Sequence, residues 1–79
     1  MKKSAVASVQ RRYDEVISTQ TDRGAYAVTL WQSKRNPANY AVTYGSDATS
    51  DMTYSEASTE YGSCVMHMAV CEGLMEAEE

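Results

Sequence analysis

The sequence predicts an α+β fold in which a three- to four-stranded antiparallel sheet is packed by one long C-terminal α-helix. Through the middle of the chain, apolar residues alternate with others, which is the period of a strand. In the last third they recur at steps of four and three, which is the period of a helix. A chain of 79 residues has room for one core, so we expect a single domain over residues 1–79.

The two central strands are predicted from this alternation, which runs from Ala25 to Trp31 and again from Tyr40 to Tyr44. The polar segment 34–39 separates them. It contains Pro37, which fixes one backbone dihedral and disfavours helix at the residue before it. We therefore expect the two strands to pair as a hairpin.

The segment before the hairpin has two interpretations. Residues 16–21 are rich in β-branched side chains, which favours a third strand. A first helix is the alternative, because apolar residues also recur at helical spacing at Val6, Val9, Tyr13 and Val16. The second interpretation gives a helix, three strands and a helix.

After the hairpin, residues 46–51 are small and polar and are predicted to form a loop. Met52 to Tyr54 could add a short edge strand. Ser55 is then expected to cap the final helix, because a serine hydroxyl accepts a hydrogen bond from a free N–H of the first turn.

The final helix is predicted from Ser55 to Met75. Its apolar stripe is expected to cover the sheet. The stripe consists of Ala57, Tyr61, Cys64, Met68, Cys71 and Met75.

The opposite side of this helix carries small or apolar residues where a surface helix normally carries charge. These residues are Gly62, Met66, Ala69, Val70 and Gly73. A glycine inside a helix costs about 0.5 to 1 kcal/mol relative to alanine, and close approach of another chain would explain that cost. We therefore predict a homodimer through this face. The alternative is that the two glycines only kink or end the helix.

The charges divide sharply along the chain. All seven Lys and Arg lie within residues 1–35, whereas residues 36–79 hold eight of the eleven acids, and the net charge is −4. If the strands pair as predicted, four cations gather at one edge of the sheet: Arg11, Arg12, Lys34 and Arg35. With Trp31 and Tyr40 nearby, this cluster could hold nucleic acid by phosphate pairing and stacking, and the alternative is a solvated turn.

A second partner-binding surface is predicted on the acidic side, from Asp47, Asp51, Glu72 and Glu76 together with Tyr54. Carboxylates placed in this way could imitate phosphates, and tyrosine suits half-wet interfaces. An ordinary solvated acidic surface is the alternative.

No residue pattern predicts catalysis, a metal or a cofactor. Cys64 and Cys71 lie on the predicted core stripe, where thiols are inert, and on one helix they are too far apart to bridge. His67 is the chain's single histidine, so a zinc ligand set could be completed only if a second copy of the chain supplied the rest. The four glycines are isolated and match no phosphate-binding loop. We expect a protein that binds rather than an enzyme, and no cofactor.

The segment Lys2 to Arg12 has only a short, weakly apolar run between its basic residues, so it does not read as a signal peptide. No run approaches the roughly 20 apolar residues that span a membrane. These observations favour the reducing cytoplasm, with no membrane partner.

In length, in the acidity of one half, and in its sheet-plus-helix plan without a catalytic constellation, the chain resembles the small phage-encoded anti-CRISPR and antidefence proteins. The resemblance implies a stoichiometric inhibitor of a Cas effector in the host cytoplasm, whose partner is a host protein or ribonucleoprotein complex. A structural homodimeric module is the second hypothesis. Direct nucleic-acid binding through the basic edge is the third.

Overall fold

The computed structural model describes residues 2–20 and 27–71, which form a five-stranded antiparallel sheet with a helix on each face. In chain order the elements are β1 (Lys2–Ser4), α1 (Val6–Arg12), β2 (Tyr13–Gln20), β3 (Ala27–Ser33), β4 (Tyr40–Tyr44), β5 (Asp47–Met52) and α2 (Tyr54–Cys71). The strands lie in the order β1-β5-β4-β3-β2. The predicted α+β class is confirmed, and the predicted number of three or four strands is wrong, since the described residues form five.

The strand alternation gives the sheet two apolar faces. Val28, Leu30 and Val42 are buried on the face covered by α2, where they pack with Met52 and Met68. Their neighbours along each strand point to the opposite face. The central hairpin predicted from alternation is confirmed, because β3 pairs with β4 over five residues of each. Ala25 and Tyr26, the predicted start of the first of these strands, lie outside the described residues.

The two interpretations of the segment before the hairpin each hold in part. Helix α1 packs Val6 and Val9 against the second face of the sheet, beside Ala41 and Ala48. The helix ends at Arg12, because Tyr13 is already extended at φ −127° and ψ 152°. The predicted strand therefore begins at Tyr13, three residues earlier than the β-branched run indicated.

The loop predicted over residues 46–51 is wrong, because residues 47–52 form β5 inside the sheet, between β4 and β1. A two-residue turn joins it to β4, with Gly45 at the positive φ of 60° that tight hairpin turns favour. Ser50 is fully buried, and its hydroxyl shares a 2.6 Å hydrogen bond with that of Ser4. The predicted edge strand of residues 52–54 is also wrong, because Met52 ends β5.

Helix α2 begins at Tyr54, and its cap is Thr53 rather than the predicted Ser55. The Thr53 hydroxyl accepts a hydrogen bond from the Glu56 N–H at 3.2 Å, and a Glu56 carboxylate oxygen accepts one from the Thr53 N–H at 3.0 Å. This reciprocal pair is a capping box. The Thr53 N–H and hydroxyl both lower the pKa of the Glu56 carboxyl.

The predicted stripe of α2 meets the sheet through four of its members. Ala57 and Met68 are buried, and Tyr61 and Cys64 are half-buried against the same core. Cys71 was expected there and is exposed. An 18-residue helix is about 27 Å long, whereas the five residues of β4 span about 17 Å, so the last turn extends past the strand. Met75 lies outside the described residues.

We predict that Thr53→Ala lowers the free energy of unfolding by about 1 kcal/mol, because it removes the helix cap. Ser55→Ala is the matched control, and it should change stability by less than about half of that. Urea unfolding of both variants at pH 7 measures the difference. The pKa of Glu56 is lowered in the folded state. The Glu56 carboxylate therefore stabilises the fold above pH 4.5, and this stabilisation is lost as the pH falls further. Equal losses in the two variants would contradict the assigned cap.

Candidate anion-binding site

The predicted gathering of four cations is found in the structure, at the end of the sheet where β2 begins and β3 ends. Arg11 and Arg12 form the last turn of α1. Tyr13 pairs with Ser33, so the residue after β3 comes alongside the end of the helix. The Lys34 N–H donates a 3.1 Å hydrogen bond to the Arg12 carbonyl. This backbone bond connects the two basic segments directly.

The cations surround a depression of about 500 Å³, which we call the basic depression. Its lining residues are Arg11, Arg12, Tyr13, Ser33, Lys34, Arg35 and Asn39. No aliphatic side chain belongs to this lining, whereas sites for drug-like ligands are mostly apolar. The lining suits a charged ligand.

The four cations form no ion pair within the described residues. The Arg11 side chain donates a long 3.4 Å hydrogen bond to the Ala7 carbonyl, and the Arg12 guanidinium lies 5.7 Å from the centre of the Tyr13 ring. Asp14, the acid next to Tyr13 in the sequence, points to the opposite face of the strand. The positive charge of the depression is therefore available to a ligand.

The floor of the basic depression is fixed by a chain of polar contacts. Tyr13 is 2% exposed, and its hydroxyl donates to the Asn39 side-chain oxygen at 3.0 Å. The Asn39 side-chain nitrogen in turn donates to the Asp51 carboxylate at 3.0 Å. Sequence reasoning missed Tyr13 and Asn39 as site residues. The available signal was their position next to the cations in the predicted pairing.

The turn that carries Lys34 and Arg35 is also held by hydrogen bonds. The Ser33 hydroxyl accepts from the N–H groups of Arg35 and Asn36, each at 3.2 Å. The Ser33 N–H donates to the Asn39 carbonyl at 2.8 Å, which closes the turn. The Asn36 side chain accepts from the Ala38 N–H at 3.1 Å. The backbone of both cations is thus positioned before any ligand binds.

The two aromatic residues expected beside the cations do not line the basic depression. Trp31 is half-buried on the α1 face, where its ring N–H donates to the Thr43 hydroxyl at 2.9 Å. Tyr40 lies on the α2 face and meets the Tyr54 ring edge-on, with 5.3 Å between the ring centres. Neither Trp31 nor Tyr40 lines the basic depression. Tyr54, which was predicted as a contact residue, is 61% exposed.

The predicted acidic surface is not assembled within the described residues. Asp47 begins β5 and Asp51 is the residue before its end, so the two lie about 13 Å apart along the strand. Asp51 belongs to the end of the sheet that carries the cations, where it accepts the Asn39 hydrogen bond. Glu72 and Glu76 lie outside the described residues.

The predicted dimer face of α2 is exposed on the single chain. Gly62, Met66 and Val70 are exposed and Ala69 is half-buried, while Gly73 lies outside the described residues. A Cβ atom added at Gly62 would meet nothing within 4 Å, so packing within this chain does not require glycine there. The homodimer stays a prediction.

Two thiols and the histidine lie on α2 in different surroundings. Burial, followed by the charge of Glu60, raises the pKa of the Cys64 thiol to about 11. The Cys71 sulphur lies 3.7 and 3.8 Å from the two ring nitrogens of His67. Because it is almost equidistant from both, it cannot lie on the lone-pair axis of either. This geometry gives Cys71 no aligned base.

Within the described residues, no three His, Cys, Asp or Glu side chains are placed to hold one metal ion. No helix in the same part of the chain is long and apolar enough to cross a membrane. Comparison with protein-family models, with curated proteins and with solved structures finds no match.

We predict that alkylation of the native protein at pH 8 labels Cys71 well before Cys64. Raising the pKa of Cys64 from 9.0 to about 11 lowers its reactive thiolate fraction about 100-fold at this pH. Iodoacetamide labelling followed by mass spectrometry of the peptides measures the two rates. Glu60→Gln should accelerate labelling of Cys64 and leave Cys71 unchanged. Equal native rates at the two cysteines would contradict the assigned burial.

Proposed function

We propose that this protein acts by binding rather than by catalysis, and that the basic depression binds successive phosphates of a nucleic acid. One observation carries the proposal: four cations from two distant parts of the chain converge without an ion pair among the described residues. Like charges held together repel each other, and an anionic partner relieves that repulsion.

The arrangement favours a chain of phosphates over one small anion. The cations come from two segments, the end of α1 and the turn after β3, and they surround about 500 Å³. All four are exposed, so each interaction is weak and is screened by salt. Useful affinity therefore requires several contacts at once, which a polymer of phosphates provides.

The inhibitor of a Cas effector implied by the resemblance stays a prediction. None of the described side chains is specific to such a target, and two of the acids expected to contact it lie outside the described residues. We prefer nucleic-acid binding to this alternative because the four cations of the basic depression lie together on the surface.

We predict that a fluorescent single-stranded oligonucleotide binds with a strong dependence on salt. Four phosphate contacts on a single strand give a slope of log K against log salt of about −3, or roughly 50-fold weaker binding at 200 mM than at 50 mM salt. Fluorescence anisotropy across this range measures the slope. The double variant Arg12→Gln/Lys34→Gln should lower affinity and reduce the slope to about −1.4, because two contacts are lost.

The matched control is Lys2→Gln/Lys3→Gln, which removes the same charge from β1. Two strands, β5 and β4, separate β1 from β3. This control should bind as the unsubstituted protein does. Equal losses in the two double variants, or no binding at 50 mM salt, would refute the proposal. Preferred binding of a polyglutamate peptide of equal charge would indicate an acidic protein partner instead.

A further inference from the structure

A second depression adjoins the basic depression where β4 begins. The second has a volume of about 210 Å³, and it is lined by Asn36, Ala38, Asn39, Asp51, Met52 and Thr53. Asn39 lines both. From the start of β2 to the end of β5, the two together cross three strand spacings, or about 14 Å.

The two depressions differ in charge. All the cations that line the two depressions belong to the basic depression. The second depression is lined by two amide side chains and the Asp51 carboxylate. A carboxylate repels phosphate. The charges therefore place phosphates in the first depression and bases towards the second.

Tyr54 follows directly on Thr53, which lines the second depression, while Tyr54 itself belongs to neither lining. Its ring is held edge-on by Tyr40, at an interplanar angle of 66°. The Tyr40 hydroxyl accepts a 3.1 Å hydrogen bond from the Gln32 side chain, which fixes the supporting ring. An aromatic ring that is 61% exposed and supported in this way is a platform on which a base can stack.

We propose that the ligand is single-stranded, with its phosphates in the basic depression and a base stacked on Tyr54. This inference rests on the proposed function and adds the strandedness of the ligand and the stacking residue. In a duplex the bases are already stacked on one another, so none is available to Tyr54. Stacking on the Tyr54 ring therefore favours single strands over duplexes, whereas the four cations attract both.

The test compares Tyr54→Ala and Tyr54→Phe with the unsubstituted protein, on an oligonucleotide and its duplex, by anisotropy at 50 mM salt. Tyr54→Ala should weaken single-strand binding at least about fivefold and leave duplex binding unchanged, because only stacking is lost. Tyr54→Phe keeps an aromatic face and should retain the affinity. Met66→Ala, exposed on the outer face of α2, is the control and should bind both ligands normally. Circular dichroism checks that each variant is folded.

The outcomes separate this inference from the proposed function. If Arg12→Gln/Lys34→Gln weakens binding but Tyr54→Ala does not, the stacking role is refuted and the proposed function stands. Equal affinity for single strand and duplex also refutes the inference alone. If the unsubstituted protein binds neither ligand, both proposals fail.

Discussion

The pairing of β2 with β3 is the constraint on which the site depends. It sets Tyr13 opposite Ser33, and the Lys34 N–H then reaches the Arg12 carbonyl. A shift of one residue in the register of β2 against β3 would turn the Tyr13 side chain out of the core and separate the two basic segments. The backbone hydrogen bonds of the sheet hold the cations together although their charges repel each other. The fold thus positions the four cations together at one end of the sheet.

Among the described residues, the acids at this end of the molecule make contacts other than ion pairs with the four cations. Asp51 accepts a hydrogen bond from Asn39, and Glu56 caps α2. Asp14 lies on the far face of its strand. A protein of net charge −4 can therefore present a local positive surface. Net charge alone describes the distribution of charge on this surface poorly, and the positions of the individual charges describe it better.

The sequence predicted those parts of the fold that have a periodic signal. Alternation located β3 and β4, and the four-and-three spacing located α2. The predicted strand pairing also indicated that four cations meet at one edge of the sheet, namely Arg11, Arg12, Lys34 and Arg35. Paired antiparallel strands bring the segment before the first strand next to the segment after the second. Strand β5 was missed because its buried positions include Ala48 and Ser50, small residues that fit beneath α1 without a β-branched signal. Strand β1 is three residues long, too short for any period.

Other misses have specific causes. The Thr53 to Glu56 spacing of a capping box is present in the sequence, but Ser55 is also a favoured capping residue, and residue type alone does not separate the two. Cys71 continues the apolar stripe, and only the length of β4 shows that the sheet ends before it. Trp31 packs in the same cluster as Tyr13, but its ring N–H bonds the Thr43 hydroxyl and it does not line the basic depression. Such errors concern tertiary position, which a local pattern does not contain.

The most direct test of the central claim is a two-dimensional ¹⁵N–¹H nuclear magnetic resonance titration of the protein with a single-stranded oligonucleotide. If the four cations form one phosphate site, the largest amide shift changes should fall in residues 11–13 and 33–39. The outer face of α2 around Met66 should change little. Changes centred on that face, with residues 11–13 and 33–39 unmoved, would contradict the account.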